Sequence, residues 1–300
     1  MHKSKYGLLG TSLAAILALT APAFAQTEEI TIGADVFPEN IASTSDGDLL
    51  ISSITQGIVY RVEQGETTAE PWIEDIGPAV TGVFAHENNA YVCSNGPFGS
   101  DEVAQFKIYD LTTGEETASF DFPAGGLCSD SAVAPDGTVY VTQLGSPPGR
   151  IFRLTDDGFE EVIADDDLAG LDGLAFLGDA LIANNLQTGD LYRINLDADP
   201  VSYTTLTLSQ PLEGPDGMRT TEDGNALLIA EAQGNRVVLV TVDGDDAEVT
   251  ELATDLDGGP TGVAQIGDTA YIVEGHFYAL SEDPERTAPE TFTVVTVQLP

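Results

Sequence analysis

Short apolar runs, each closed by a polar or Gly-containing turn, recur along this chain with the period-two texture of strands. Ala226-Leu227-Leu228-Ile229-Ala230 and Thr138-Val139-Tyr140-Val141-Thr142 are representative, rich in β-branched, aromatic and aliphatic residues. Ser45-Asp46-Gly47, Pro135-Asp136-Gly137, Glu222-Asp223-Gly224 and Gly267-Asp268 separate first strands from second strands. Asp-Gly supplies the positive φ that a tight hairpin requires. Third strands follow at 57–62, 150–154 and 190–194, and fourth strands at 159–164, 202–208 and 247–253.

The runs fall into six similar units: 38–53, 80–94, 128–143, 171–184, 215–231 and 260–274. The residues leading them are Glu39, Thr81, Ser129, Asp172, Asp216 and Thr261, spaced by 42, 48, 43, 44 and 45 residues. A repeat of that length, made of strands alone, is one four-stranded propeller blade. The fold predicted is all-β, a six-bladed β-propeller occupying residues 26–300. FTVVTVQLP (292–300) reads as a third strand with nothing after it, whereas ITIGADVFPEN (30–40) begins with a spare outer strand. Pairing the two closes the ring and removes exposed edges.

Residues 1–25 stand apart. Lys3 and Lys5 precede an apolar stretch from Gly7 to Leu19, and Ala23-Phe24-Ala25 supplies small residues for cleavage. This is the layout of a secretory signal peptide, which predicts an exported protein, periplasmic or secreted, with no membrane insertion in its mature form. The chain has 10 basic and 50 acidic residues, net −40; without Lys3 and Lys5 the balance is 8 against 50, or −42. Such acidity argues against nucleic acid and anionic membranes as partners. The acidic runs at 165–167 and 243–246 lie between strands and lack the spacing of a calcium loop. The two cysteines, Cys93 and Cys128, suit a disulfide between adjacent blades, with two separate buried thiols as the alternative.

In a propeller, one residue per blade meets its counterparts around the axis. The leading ring is polar throughout and includes three carboxylates, Glu39, Asp172 and Asp216, with Asp130 beside Ser129. Converging carboxylates repel, so one keeps its proton unless a cation binds among them. With only oxygen donors present, the expected ion is hard, Ca²⁺ first and Mg²⁺ second. A second column, at the far end of each second strand, reads Ser53, Ser94, Gln143, Asn184, Glu231 and Glu274, with His276 just beyond. Two polar rings at one mouth predict a hydrophilic pocket, in which Gln143, Asn184, Glu231, Glu274 and His276 would touch a small-molecule substrate.

The leading motifs resemble those of the gluconolactonase family that includes regucalcin (senescence marker protein), over roughly residues 30–300. The resemblance implies a divalent ion on the axis. It places Glu39 (Phe37-Pro38-Glu39-Asn40) and Asp216 (Pro215-Asp216-Gly217-Met218) as ligands, with Asp172 where the family has Asn. Ser129 takes the position of a nearby family Asn, followed by Asp130, and one of these two is expected to contribute to the ion directly or through water. Leu127 stands where the family carries a substrate-binding Arg, which puts gluconolactone itself in question. The activity implied is metal-dependent hydrolysis of a lactone or small ester, with Asp216 activating water. The alternative is a non-catalytic propeller that binds a solute or a protein at its mouth; phosphotriester hydrolysis and strictosidine-synthase-like condensation are further chemistries of such rings.

Overall fold

The computed structural model describes residues 29–97, 100, 102–123, 126–145, 147–280 and 287–300. The expected signal peptide lies outside them. Among the described residues, no helix is long and apolar enough to cross a membrane.

Six small sheets make up the ring. Blade 1 consists of Pro38–Ser43, Leu49–Ser53, Val59–Val62 and Glu70–Ile73, and the next four blades repeat that meander. Blade 6 takes Pro260–Ile266, Thr269–Glu274 and Phe292–Gln298 from the C-terminal part and Ile30–Gly33 from the N-terminal part. Ile30 pairs antiparallel with Val294 and Thr31 with Thr293, which is the closure predicted from sequence.

Each second strand is buried on both faces, and this explains its unbroken apolar reading. In blade 5, Leu227 and Ile229 join the core shared with blade 4, while Leu228 and Ala230 join the core shared with blade 6. Leu49 and Ile51 face blade 6 in the same manner, and Leu50 faces blade 2. Gly47, Gly137 and Gly224 carry φ values of +86°, +89° and +72°, as their hairpin turns require.

One fourth strand departs from expectation. The run 202–208 divides: Ser202–Thr205 completes blade 4, whereas Thr207–Leu208 crosses to pair in parallel with the outer strand of blade 5. Leu206, 4% exposed, turns inward between the two blades and supplies the break.

Cys93, in the second strand of blade 2, is disulfide-bonded to Cys128 in the first strand of blade 3, with a Cα–Cα distance of 5.3 Å. Bridging residues 35 apart stabilises the fold by about 4 kcal/mol in the chain-entropy picture.

Candidate metal centre

In every blade the pairing of first and second strands slips at the same place. The slips fall between Pro38 and Ile41, Val80 and Val83, Cys128 and Ser131, Leu171 and Leu174, Pro215 and Met218, and Pro260 and Gly262. An extra residue in one strand re-aims side chains, and here it presents the leading residues at the axis. The residue that follows packs against the next blade. A Cβ on Gly82 would lie 2.2 Å from the Ser129 carbonyl oxygen, and one on Gly173 2.5 Å from that of Asp216. Gly217 meets the Thr261 oxygen at 2.6 Å in the same sense. Glycine is therefore required at these three positions. Blades 1 and 3 place Asn40 and Asp130 at the equivalent place instead.

Glu39, Asp172 and Asp216 come together, each offering an oxygen within 4.8 Å of the others. All three are buried, at 9, 4 and 7% exposure. The Ser129 hydroxyl donates to Asp172 Oδ1, so it braces the cluster. Burial, then the neighbouring Asp172 and Asp130, pushes the Glu39 carboxyl well above its ordinary range, with Arg219 opposing. Burial, then Asp172 and Glu39, does the same to Asp216. Burial raises Asp172 to about 6, despite the bond from Ser129. Glu39 Oε2 has no hydrogen-bond partner although it is buried. An unpartnered oxygen beside two crowded carboxylates fits a hard divalent cation well.

Asp130 takes a different direction. Its Oδ2 accepts from Arg219 Nη1 at 2.6 Å and its Oδ1 from Nη2 at 3.2 Å. Arg219 Nη2 also donates to Asn40 Oδ1 at 2.7 Å and to the Val83 carbonyl at 2.9 Å. The carboxylate is thus committed to a buried ion pair that plugs the channel beneath the cluster, and it is not one of the three converging groups. Arg219 was not among the expected site residues; its signal was a cation inside a buried first strand.

The second polar column does not line the mouth. Ser53 Oγ donates to the Val36 carbonyl at 2.5 Å and Ser94 Oγ to that of Ile76 at 3.0 Å. Glu231 accepts from the Glu213 amide at 2.6 Å and pairs with Arg236, and Glu274 accepts from the Gly258 amide at 2.7 Å. Each ties down the segment leading into its own blade. Asn184 bridges the Gly173 amide at 2.9 Å and the Asp216 carbonyl at 2.6 Å, while its neighbour Asn185 holds the Ala169 carbonyl at 2.8 Å. Gln143 packs against Gly126 and accepts from Arg150 Nη1 at 3.4 Å. His276 lies edge-on to Phe292, with Nδ1 2.9 Å from the Tyr278 hydroxyl.

The cavity above the carboxylates, about 310 Å³, is consequently walled by apolar residues, not by the expected second polar ring. Glu39, Thr81, Ser129, Asp172 and Asp216 form its floor. Ile54, Leu127, Leu144, Leu186, Phe277 and Leu280 form its wall. A signal for this was present: Ile54 and Leu144 directly follow Ser53 and Gln143, and Leu186 follows the Asn184-Asn185 pair.

Fold and site together define a six-bladed propeller with an acidic centre on its axis. No protein-family model matches the sequence, and no curated relative does. Solved structures match the fold well. A gluconolactonase from Xanthomonas campestris aligns with a TM-score of 0.65 at 16% identity, over 90% of this chain and 88% of that one. The calcium-binding protein regucalcin from Agrobacterium tumefaciens gives 0.63 at 15% identity, over 92% and 96%. An inactive variant of virginiamycin B lyase from Staphylococcus aureus gives 0.61 at 18% identity, over 82% and 81%. One architecture thus serves hydrolysis, calcium binding and lyase chemistry, and the site has to distinguish them.

Proposed function

We propose that this protein is an exported, metal-dependent hydrolase of a lactone or similar small ester. The observation that carries the reading is the convergence of Glu39, Asp172 and Asp216 within 4.8 Å at the floor of a ligand-sized cavity. The fold likeness to a gluconolactonase and to calcium-binding regucalcin supports it. These three carboxylates would hold the ion, Ca²⁺ before Mg²⁺. A divalent cation bound there supplies a Lewis acid for a carbonyl oxygen.

The protein's own groups account for the remaining chemistry. Ser129 fixes the orientation of Asp172 through its hydroxyl. Asn184 holds the backbone of Asp216 by its carbonyl at 2.6 Å, leaving the carboxylate directed at the cavity floor. Asp216 acts as general base: it takes a proton from water as the water oxygen bonds to the carbonyl carbon. The carbon–oxygen bond of the ring or ester then breaks, the proton returns to the departing oxygen, and a hydroxy acid or an acid–alcohol pair leaves. Export is supported by the Cys93–Cys128 disulfide, which suits an oxidising compartment.

The competing reading, a solute-binding propeller without catalysis, is favoured by Leu127, an apolar residue on the cavity wall with no donor to orient a polar substrate. A panel of lactones and esters, assayed with and without chelator, separates the two. Asp216→Asn sharpens the assay, because it keeps an oxygen ligand but removes the base. Turnover should fall by about a hundredfold or more while the ion is largely retained. Undiminished turnover in that variant would exclude Asp216 as the base.

A further inference from the structure

The wall of the cavity says what kind of molecule sits on the carboxylates. Its polar atoms are confined to the floor, and the rest of the described lining is Ile54, Leu127, Leu144, Leu186, Phe277 and Leu280. These residues come from blades 1, 3 and 4 and from the segment following the second strand of blade 6, so the collar is built by much of the ring. Four polar side chains that could have faced a sugar are engaged elsewhere, and the Gln143 Nε2, which has no partner, is buried beside Gly126. Ser53, Asn184, Glu231 and Glu274 are hydrogen-bonded to backbone within or between blades. Turning any of them into the cavity would leave a buried backbone group unpaired.

A second observation points the same way. Among the described residues, the exposed large apolar side chains are Val103 and Leu280, at 56 and 47%. Both belong to connections that leave the mouth ends of second strands, after Asn95 and after Glu274. Elsewhere a chain of net charge −40 presents an acidic surface. Leu280 also lines the cavity, so exposed apolar surface continues the collar outward there.

We infer that the ligand is a neutral lactone or ester carrying an alkyl or aryl substituent, its carbonyl on the acidic floor and its apolar part against this collar. Polyhydroxylated sugar lactones are selected against, because their hydroxyls would lose water and find no partners among the described wall residues. Leu127 and Leu186 are specificity-determining residues, and Leu127 is the more telling because a cation there would serve a polar substrate. This inference rests on the proposed hydrolase for the word "substrate", but the apolar preference itself can be read by binding alone.

Equilibrium binding of δ-lactams, which resist hydrolysis, provides that readout. Calorimetry in the presence of Ca²⁺ would compare a series with lengthening alkyl substituents against a polyhydroxylated lactam of the same ring size. Affinity should rise about fourfold per added methylene until the cavity is filled. The hydroxylated lactam should bind at least about a hundredfold more weakly than the longest alkyl analogue. Leu127→Arg and Leu186→Gln should flatten the chain-length dependence, and Leu127→Met should restore it; both leucines are only half-buried, and thermal melts verify folding. Chain-length dependence without hydrolysis of the matching lactones would uphold the apolar site and overturn the hydrolase. Affinity independent of chain length, or preference for the hydroxylated lactam, would overturn the inference.

Discussion

Blades 2 and 6 differ from blades 1, 4 and 5 by a single residue type at an otherwise shared bulge. Thr81 donates its hydroxyl to the Cys128 carbonyl of the next blade at 2.7 Å, and Thr261 donates to the Pro38 carbonyl at 3.1 Å. A hydroxyl at this position stitches one blade to its neighbour. A carboxylate that holds a cation has no proton to donate and would be repelled by the same carbonyl. Glu39, Asp172 and Asp216 are therefore directed at the axis, where they meet. Ser129 falls between the two classes: its hydroxyl is donated across to Asp172 and serves the centre. One backbone device thus yields either a structural tie or a member of the acidic centre, according to which side chain stands there.

Three experiments test that contrast. The largest effect is expected where the two classes depend on the same close approach. Gly82→Ala would force a Cβ to within 2.2 Å of the Ser129 oxygen and should cost about 3 kcal/mol or more, read by denaturant unfolding. A loss below about 1 kcal/mol would mean that the blades can separate freely.

The next effect concerns pH. Raised carboxyl pKa values mean that the folded protein binds protons more tightly than the unfolded chain. The contribution of Glu39, Asp172 and Asp216 to stability is then complete below about pH 4 and is lost as pH rises through the folded values, about 6 for Asp172. The Tm of ion-free protein should accordingly fall between pH 5 and 8 through these groups, and saturating Ca²⁺ at pH 8 should reverse the fall. Asp216→Asn should reduce the slope, whereas Thr261→Val should leave it alone. A slope unaltered by Asp216→Asn would place its origin outside the centre.

The smallest effect is that of the tie itself. Thr261→Val should cost about 1 kcal/mol in unfolding and nothing in ion affinity. Weakened ion binding in this variant would show that ties and ligands are not separable.

Much of this was legible in the chain because the repeat fixes equivalence. Once Glu39, Asp172 and Asp216 occupy the same place in their blades, ring symmetry brings them together. Closure by residues 30–33 and the Cys93–Cys128 bridge followed from the same register. Side-chain direction at strand ends was not legible. Glu231 and Glu274 read as pocket residues because they end apolar strands, yet each bends back to an amide 18 or 16 residues earlier, in its own blade's lead-in. Asp130 read as a further contributor to the ion site, but Arg219, 89 residues away in sequence, claims it. Such pairings depend on which partner the fold brings near, and local pattern carries no trace of it.

The acidic centre is tested most directly by calorimetric titration of Ca²⁺ into chelator-treated protein at pH 7.5, in wild type and in Glu39→Ala, Asp172→Ala, Asp216→Ala and Thr81→Val. One ion per chain should bind in the wild type and in Thr81→Val, and affinity should fall by at least about a hundredfold in each carboxylate variant. No binding of Ca²⁺ or Mg²⁺ to the wild type, or binding indifferent to loss of Asp216, would contradict the assignment of this acidic ring as a metal centre.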